Sequence, residues 1–319
     1  MAGARAATVN SARTQRGGPL LAAITLGSNS FNMLLARPGQ PLPQVIAKHK
    51  RKVRLAQGLL PDAPLAPEAA AAGRDCLRWF GQLLAQYQPK HVAVYATAAL
   101  RQASDGAAFC AQAEPLLGYP IQIISGDSEA AYIYQGMRAT TDVAGSALVL
   151  DIGGASTELV IGDEHIRFKH SLALGAVLYT QEYFAGAITA QGFVQAHQAV
   201  ARALDPLRVE MEGHDWQTAL GISGTFRSLF ELADNRGLAL TRLTPAFLAE
   251  IQQELIGCGH AQLDGLVEER VPTFAAGVAI LAALMAELGI AELHPAGGAL
   301  REGVLVELDQ CARRSQSLS

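Results

Sequence analysis

Residues 24–36 read Ile-Thr-Leu-Gly-Ser-Asn-Ser-Phe-Asn-Met-Leu-Leu-Ala, and residues 150–162 read Leu-Asp-Ile-Gly-Gly-Ala-Ser-Thr-Glu-Leu-Val-Ile-Gly. At a constant offset of 126, Gly27 falls on Gly153 and Ser30 on Ser156, with an apolar run on each side of both turns. Apolar runs bounded by Gly/Ser clusters read as strands. Two such hairpins a domain apart imply one α/β unit used twice, with both turns facing a shared cleft.

The rest of the chain agrees with a duplicated α/β plan. Strands are expected at 20–26, 31–37, 91–95, 121–124, 147–150, 158–161, 166–171 and 219–222. Helices are expected at 67–87, 105–117 and 128–138, and from a cap at Thr189 to about Met211. Two or three more follow up to Leu288, and a last one after Gly303. At 319 residues, of which 50% are hydrophobic and 17% charged, the chain can bury two cores and is not disordered.

The four cysteines, Cys76, Cys110, Cys258 and Cys311, form no CxxC pair, and the eight histidines show no HExxH spacing. This argues against a zinc site or a disulfide framework and suits a reducing, cytoplasmic setting. The apolar stretch 271–286 is interrupted by Pro272, Thr273 and Gly277 and reads as a buried helix, so no membrane is expected. Residues 1–18 read as a basic tail; composition alone also allows a transit peptide.

The net charge of −4 conceals a division. Nine basic residues and no acidic one precede Asp62, whereas 16 basic and 29 acidic residues make up the remainder. Five of the nine, Lys48, Lys50, Arg51, Lys52 and Arg54, form one run. Such a run reads either as an edge strand protected by lysines or as a row of cations leading a polyanion to the cleft. No interleaved aromatics or recognised motif accompany it, so a nucleic-acid partner is not expected.

Gly/Ser turns between strands converge backbone N–H groups and hydroxyls on one point and bind phosphate. The candidates are Gly27-Ser28-Asn29-Ser30 and Gly153-Gly154-Ala155-Ser156-Thr157. A third is Ser223-Gly224-Thr225, which follows a strand and opens a helix whose N-terminus favours anions. Asp151 enters the second turn and Glu158 leaves it, and alternation along a hairpin can aim both carboxylates at the cleft, where phosphate-bound Mg²⁺ would need them.

With these turns in place, "ITLGSNSFNMLLA", "YATAALRQASDGAAF" (95–109), "IISGDSEAAYIYQGM" (123–137), "LVLDIGGASTELVIG", "GISGTFRSL" (221–229) and "GALREGVL" (298–305) resemble, in order, the motifs of the exopolyphosphatase/guanosine pentaphosphate phosphohydrolase family. The resemblance spans roughly residues 20–308. It implies two ribonuclease-H-like domains around a cleft, as in the actin/hexokinase/Hsp70-like superfamily. The expected domains are 19–132 and 133–298, with the closing helix, about 299–315, able to pack back on the first. The resemblance further implies Glu129 as the general base, Arg101 as a phosphate-pairing arginine, and Asp151 with Glu158 as the residues serving Mg²⁺ or Mn²⁺. The implied substrate is inorganic polyphosphate, which would lose terminal orthophosphate, or guanosine pentaphosphate. A homodimer is the implied assembly. The chain departs from the family pattern at Thr25 and Gly297, where acids are usual, and at Asn32 and Ala155. Loss of two carboxylates would weaken a cation site, which makes a catalytically weak polyphosphate or nucleotide sensor the alternative.

Overall fold

The computed structural model describes residues 19–60 and 62–317. The expected basic tail, 1–18, lies outside the described residues. The first half runs β1 (Leu21–Leu26), β2 (Ser30–Arg37), β3 (Gln44–Lys52), α1 (Pro67–Tyr87), β4 (His91–Ala96), α2 (Ala98–Gln102), α3 (Gly106–Leu117) and β5 (Gln122–Ile123), and α4 (Gly126–Thr140) follows. The second half repeats the opening as β6 (Ala147–Ile152), β7 (Thr157–Gly162) and β8 (Ile166–Leu172). It continues with α5 (Ala176–Tyr183), α6 (Ala190–Leu204), α7 (Arg208–Met211), β9 (Thr218–Ile222), α8 (Gly224–Asn235), α9 (Pro245–Cys258), α10 (Val271–Glu287), β10 (His294–Pro295) and α11 (Leu300–Ser317).

The two sheets share one topology. Their strand orders are β3-β2-β1-β4-β5 and β10-β9-β6-β7-β8, each a three-stranded antiparallel meander with two parallel strands added on the side of its first strand. The fold is therefore α/β with two ribonuclease-H-like units around a cleft, the architecture of the actin/hexokinase/Hsp70-like superfamily. The expected helix from Thr189 to Met211 is cut short: α6 ends at Leu204, and Pro206 lies in a 3₁₀ turn that separates it from α7. Proline removes a backbone donor and clashes with the preceding turn, so the helix cannot run on.

Alternation along the strands divides each sheet into two faces. Ala22, Ile24 and Leu26 pack in one core with Phe80 of α1 and Phe109 of α3. Leu148, Leu150 and Ile152 pack in another with α6, α9 and α10. The window 268–287 is apolar and long enough to cross a membrane by length and composition, but most of it is buried inside the protein against neighbouring helices. The opposite faces point toward each other, and two helices fill the space between them. Ile133 and Met137 of α4 cover Val149 and Val160 of the second sheet. Val304 and Leu305 of α11 cover Leu21, Ala23 and Leu34 of the first.

Each of these two helices thus follows one half in sequence and packs on the sheet of the other. They cross closely because a Cβ on Gly136 would lie 2.8 Å from the Gly303 nitrogen, a separation real side chains do not show. Beyond the ends of α4 and α11 the inward faces are uncovered, and a cleft opens at the C-terminal ends of β1 and β6.

Candidate active site

The cleft holds a cavity of about 590 Å³ lined by both halves. Its walls are the two Gly/Ser turns, which are built alike: the Gly27 amide donates to the Ser30 carbonyl (3.2 Å) and the Gly153 amide to the Ser156 carbonyl (2.9 Å). The turns also abut. A Cβ on Gly154 would lie 2.9 Å from the Ser28 Cβ, so only glycine permits this approach. The third turn contributes Ser223, held at φ 89 with its hydroxyl donating to the Ile152 carbonyl (2.9 Å). A non-glycine residue in this region is strained by ~1–3 kcal/mol, and such strain is concentrated where backbone must meet a ligand.

Three buried carboxyls face the cavity. Asp151 and Glu158 stand directly opposite each other on β6 and β7. Glu129 projects from the first turn of α4, whose N-cap Ser125 accepts from the Ser128 amide (3.1 Å). Burial is the main reason that all three are hard to ionise. It raises Glu129 to about 7, with the Asp151 charge adding to the rise and Arg101 opposing it. Asp151 rises to about 6, chiefly by burial, while a hydrogen bond with Ser223 opposes the rise. Glu158 is pushed well above its ordinary range by burial and by the Glu129 and Asp151 charges, although Ser171 Oγ donates to its Oε1 (2.8 Å).

Arg101, on α2, is the cation nearest these acids. Its Nη1 donates to Glu129 Oε2 (3.1 Å) and to the Ile124 carbonyl (2.9 Å), so it stands behind Glu129 and orients it. Among the described residues no cluster of three or more His, Cys, Asp or Glu could hold a metal ion. Two paired carboxylates do fit Mg²⁺ in its usual mode, where one or two protein carboxylates are joined by water and substrate phosphate oxygens. The mutual repulsion of the acids is what a divalent cation would relieve.

Most sequence-expected residues line this cavity: Gly27, Ser28, Asn29, Ser30, Gly153, Gly154, Ser156, Ser223 and Gly224, with Glu129, Asp151 and Glu158. Thr225 lines a smaller adjoining chamber of about 190 Å³. Three expected phosphate ligands do not line the cavity. Arg101 is one, its Nη1 taken by Glu129 and the Ile124 carbonyl. The Ala155 side chain is buried in the first half's core, and the Thr157 hydroxyl donates to the Leu174 carbonyl (3.0 Å). Ala155 and Thr157 alternate with Ser156 and Glu158, which take the inward positions.

The basic run of β3 is divided in the same way. Lys50 lines the cavity, whereas Lys52 and Arg54 line a further chamber of about 310 Å³ reached past Asn29. Arg51 instead lies on the other face, its guanidinium 4.4 Å from the Trp79 ring, so it is a packing residue and not part of a polyanion path. Lys48 lines none of these spaces.

Three cations at the cavity were not singled out from sequence: Arg227, Arg270 and Arg301. Arg227 and Arg301 sit inside two of the Gly-containing motifs, which was the available signal. Arg270 is in no motif and arrives through the 3₁₀ turn before α10. Thr25 and Gly297 also line the cavity, Thr25 nearly fully buried.

This geometry has solved counterparts. An exopolyphosphatase from Cytophaga hutchinsonii superposes with a TM-score of 0.81 at 21% identity, over 91% of this chain and 98% of that one. The Aquifex aeolicus PPX-GPPA enzyme superposes with a TM-score of 0.73 at 21% identity, over 91% and 99%. These likenesses concern the fold. The Ppx/GppA phosphatase family matches residues 34–310, most of the chain, and this protein belongs to that family.

Proposed function

We propose that this protein is an exopolyphosphatase, a phosphoanhydride hydrolase that removes terminal orthophosphate from inorganic polyphosphate. The observation that carries the reading is Glu129: a buried carboxyl raised to about 7, oriented by Arg101 and facing a cavity walled by three Gly/Ser turns. A general base works best when its pKa lies near the working pH. Glu129 takes a proton from water as the water oxygen bonds to the terminal phosphorus, and the bridging P–O bond breaks. The products are orthophosphate and a chain one unit shorter.

The amides and hydroxyls of the turns at 27–30, 153–156 and 223–224 hold the phosphate oxygens while charge moves onto the leaving chain. Asp151 and Glu158 would hold Mg²⁺ or Mn²⁺, which supplies charge neutralisation at those oxygens when bound. Lys52 and Arg54 receive the distal chain in the outer chamber. The reading takes the protein as cytoplasmic, in keeping with the buried free thiols Cys76 and Cys110, and as a homodimer like its family.

Phosphate release from polyphosphate of defined length, with Mg²⁺ and Mn²⁺ titrated, tests the assignment. Faster release from polyphosphate than from guanosine pentaphosphate is expected. The reverse order would make it a guanosine pentaphosphate 5′-phosphohydrolase using the same residues. A binding-only sensor is favoured by Thr25, which brings a neutral hydroxyl where its duplicate brings Asp151. That reading predicts tight binding without turnover at any metal concentration, and turnover in Thr25→Asp.

A further inference from the structure

The duplication extends past the hairpins to the register of all three meander strands. In the second half, Asp151 on β6 stands opposite Glu158 on β7, which stands opposite Ser171 on β8. In the first half the same places hold Thr25 on β1, Asn32 on β2 and Lys50 on β3. Two carboxylates in one half are matched by a hydroxyl and an amide in the other, and a hydroxyl is matched by an ammonium. The two walls of one cavity therefore have opposite chemistry.

Arg301 deepens the contrast. It enters from α11, with Nη1 donating to Asn32 Oδ1 (3.2 Å) and Nε to Glu302 Oε1 (2.8 Å). Lys50 stands next to Asn32 across the β2–β3 ladder and has no carboxylate partner among the described residues. Desolvation and the charges of Arg270, Arg301 and Arg227 all disfavour its ammonium, so it stands in a concentrated positive field. This wall has one carboxylate, Glu302, and its Oε1 is already engaged by Arg301. It therefore lacks the facing carboxylate pair of the second half, and otherwise offers a hydroxyl, an amide, an ammonium and a guanidinium. A phosphate dianion finds a guanidinium edge and an ammonium, both suited to its oxygens.

We propose that Lys50 and Arg301 bind a phosphate group of the substrate directly, so that in the first half fixed side-chain cations stand where the second half presents its carboxylate pair. The proposal rests on reading the cleft as a phosphoanhydride site. It specifies that the site takes a polyphosphate anion through Lys50 and Arg301 without help from a divalent ion.

Calorimetric titration of the full chain with inorganic tripolyphosphate in excess EDTA tests this. The wild type is expected to bind. Lys50→Met is expected to weaken binding by about tenfold or more, as loss of a charged hydrogen bond would. Asn32→Asp, which places a carboxylate between Lys50 and Arg301, is expected to weaken it comparably. Asp151→Asn is expected to leave affinity unchanged or tighter. Absence of wild-type binding in EDTA, or an affinity for either Lys50→Met or Asn32→Asp within twofold of wild type, would overturn the proposal. Circular dichroism on each variant separates loss of binding from loss of fold, and the two variants act through opposite changes, one removing a cation and one adding an anion. Phosphate release measured on the same samples with Mg²⁺ keeps the two readings apart. Metal-free binding through Lys50 with no turnover of any phosphoanhydride overturns the hydrolase alone, and turnover with unchanged Lys50→Met binding overturns the Lys50–Arg301 site alone.

Discussion

Arg101 Nη1 lies 3.1 Å from Glu129 Oε2, yet the carboxyl is raised to about 7, not lowered. Burial decides the sign, and the guanidinium only limits the rise. On the proposed mechanism the deprotonated Glu129 is the base, so kcat/KM for phosphate release should fall about tenfold per pH unit below about 7. Removing the cation in Arg101→Met should move that acid limb upward by about one pH unit. A pH–rate profile checks both. A limb at the ordinary carboxylate value of about 4.3 would exclude Glu129 as the base.

Glu129→Gln keeps the size and the hydrogen bond to Arg101 but cannot take a proton. Phosphate release should drop by about 10²–10⁴-fold, the usual contribution of a general base. The unfolding temperature above pH 7 should not fall, because a buried charge has been removed. Full activity in this variant would end the assignment.

Glu158 has its folded-state pKa well above the unfolded value, so the native state keeps a proton that the unfolded chain releases. Stability from this group therefore declines as pH rises from the unfolded pKa through the folded one. Glu158→Gln retains an acceptor for Ser171 and should raise the unfolding temperature by a few degrees at pH 8. At pH 4, where both states are largely protonated, the gain should nearly vanish. Calorimetric scans at the two pH values decide this, and phosphate release should be reduced in the same variant.

Gly154→Ala places a Cβ 2.9 Å from the Ser28 Cβ and 3.1 Å from Val177 Cγ2. The two Gly/Ser turns must then separate. Overpacking of this kind costs about 1–3 kcal/mol, and the disturbance is at the cavity wall. A rise in KM for polyphosphate larger than the change in unfolding temperature would suggest is expected from steady-state kinetics and melting curves.

The hairpin echo was legible because both signals are local: apolar runs set the strands, and glycine and serine set the turns. The echo even carries register, since Thr25 and Asn32 pair in β1–β2 as Asp151 and Glu158 do in β6–β7. Residues inside the turns and the basic run were less legible. Residues 153–157 and 48–54 are continuous patches in sequence, but neighbours along an extended chain point to opposite faces. Thr157 and Arg51 were lost to the cavity for that reason, Thr157 to a backbone carbonyl and Arg51 to Trp79. Arg270 was not legible at all. It reaches the cavity through a chain crossing that places Glu269 beside Lys52 (3.2 Å), a contact between residues more than two hundred positions apart.

The exchange of α4 and α11 between the halves bears on how the chain is made. A ribosome releases residues 21–123 long before Val304, Leu305 and Ala312, so the face of the first sheet that carries Leu21, Ala23 and Leu34 has no cover of its own while synthesis continues. The second sheet already has α4, made before it, and can complete its core from consecutive sequence. The order of assembly should thus run against the order of translation. The earlier half waits, exposed, for the last helix to close it.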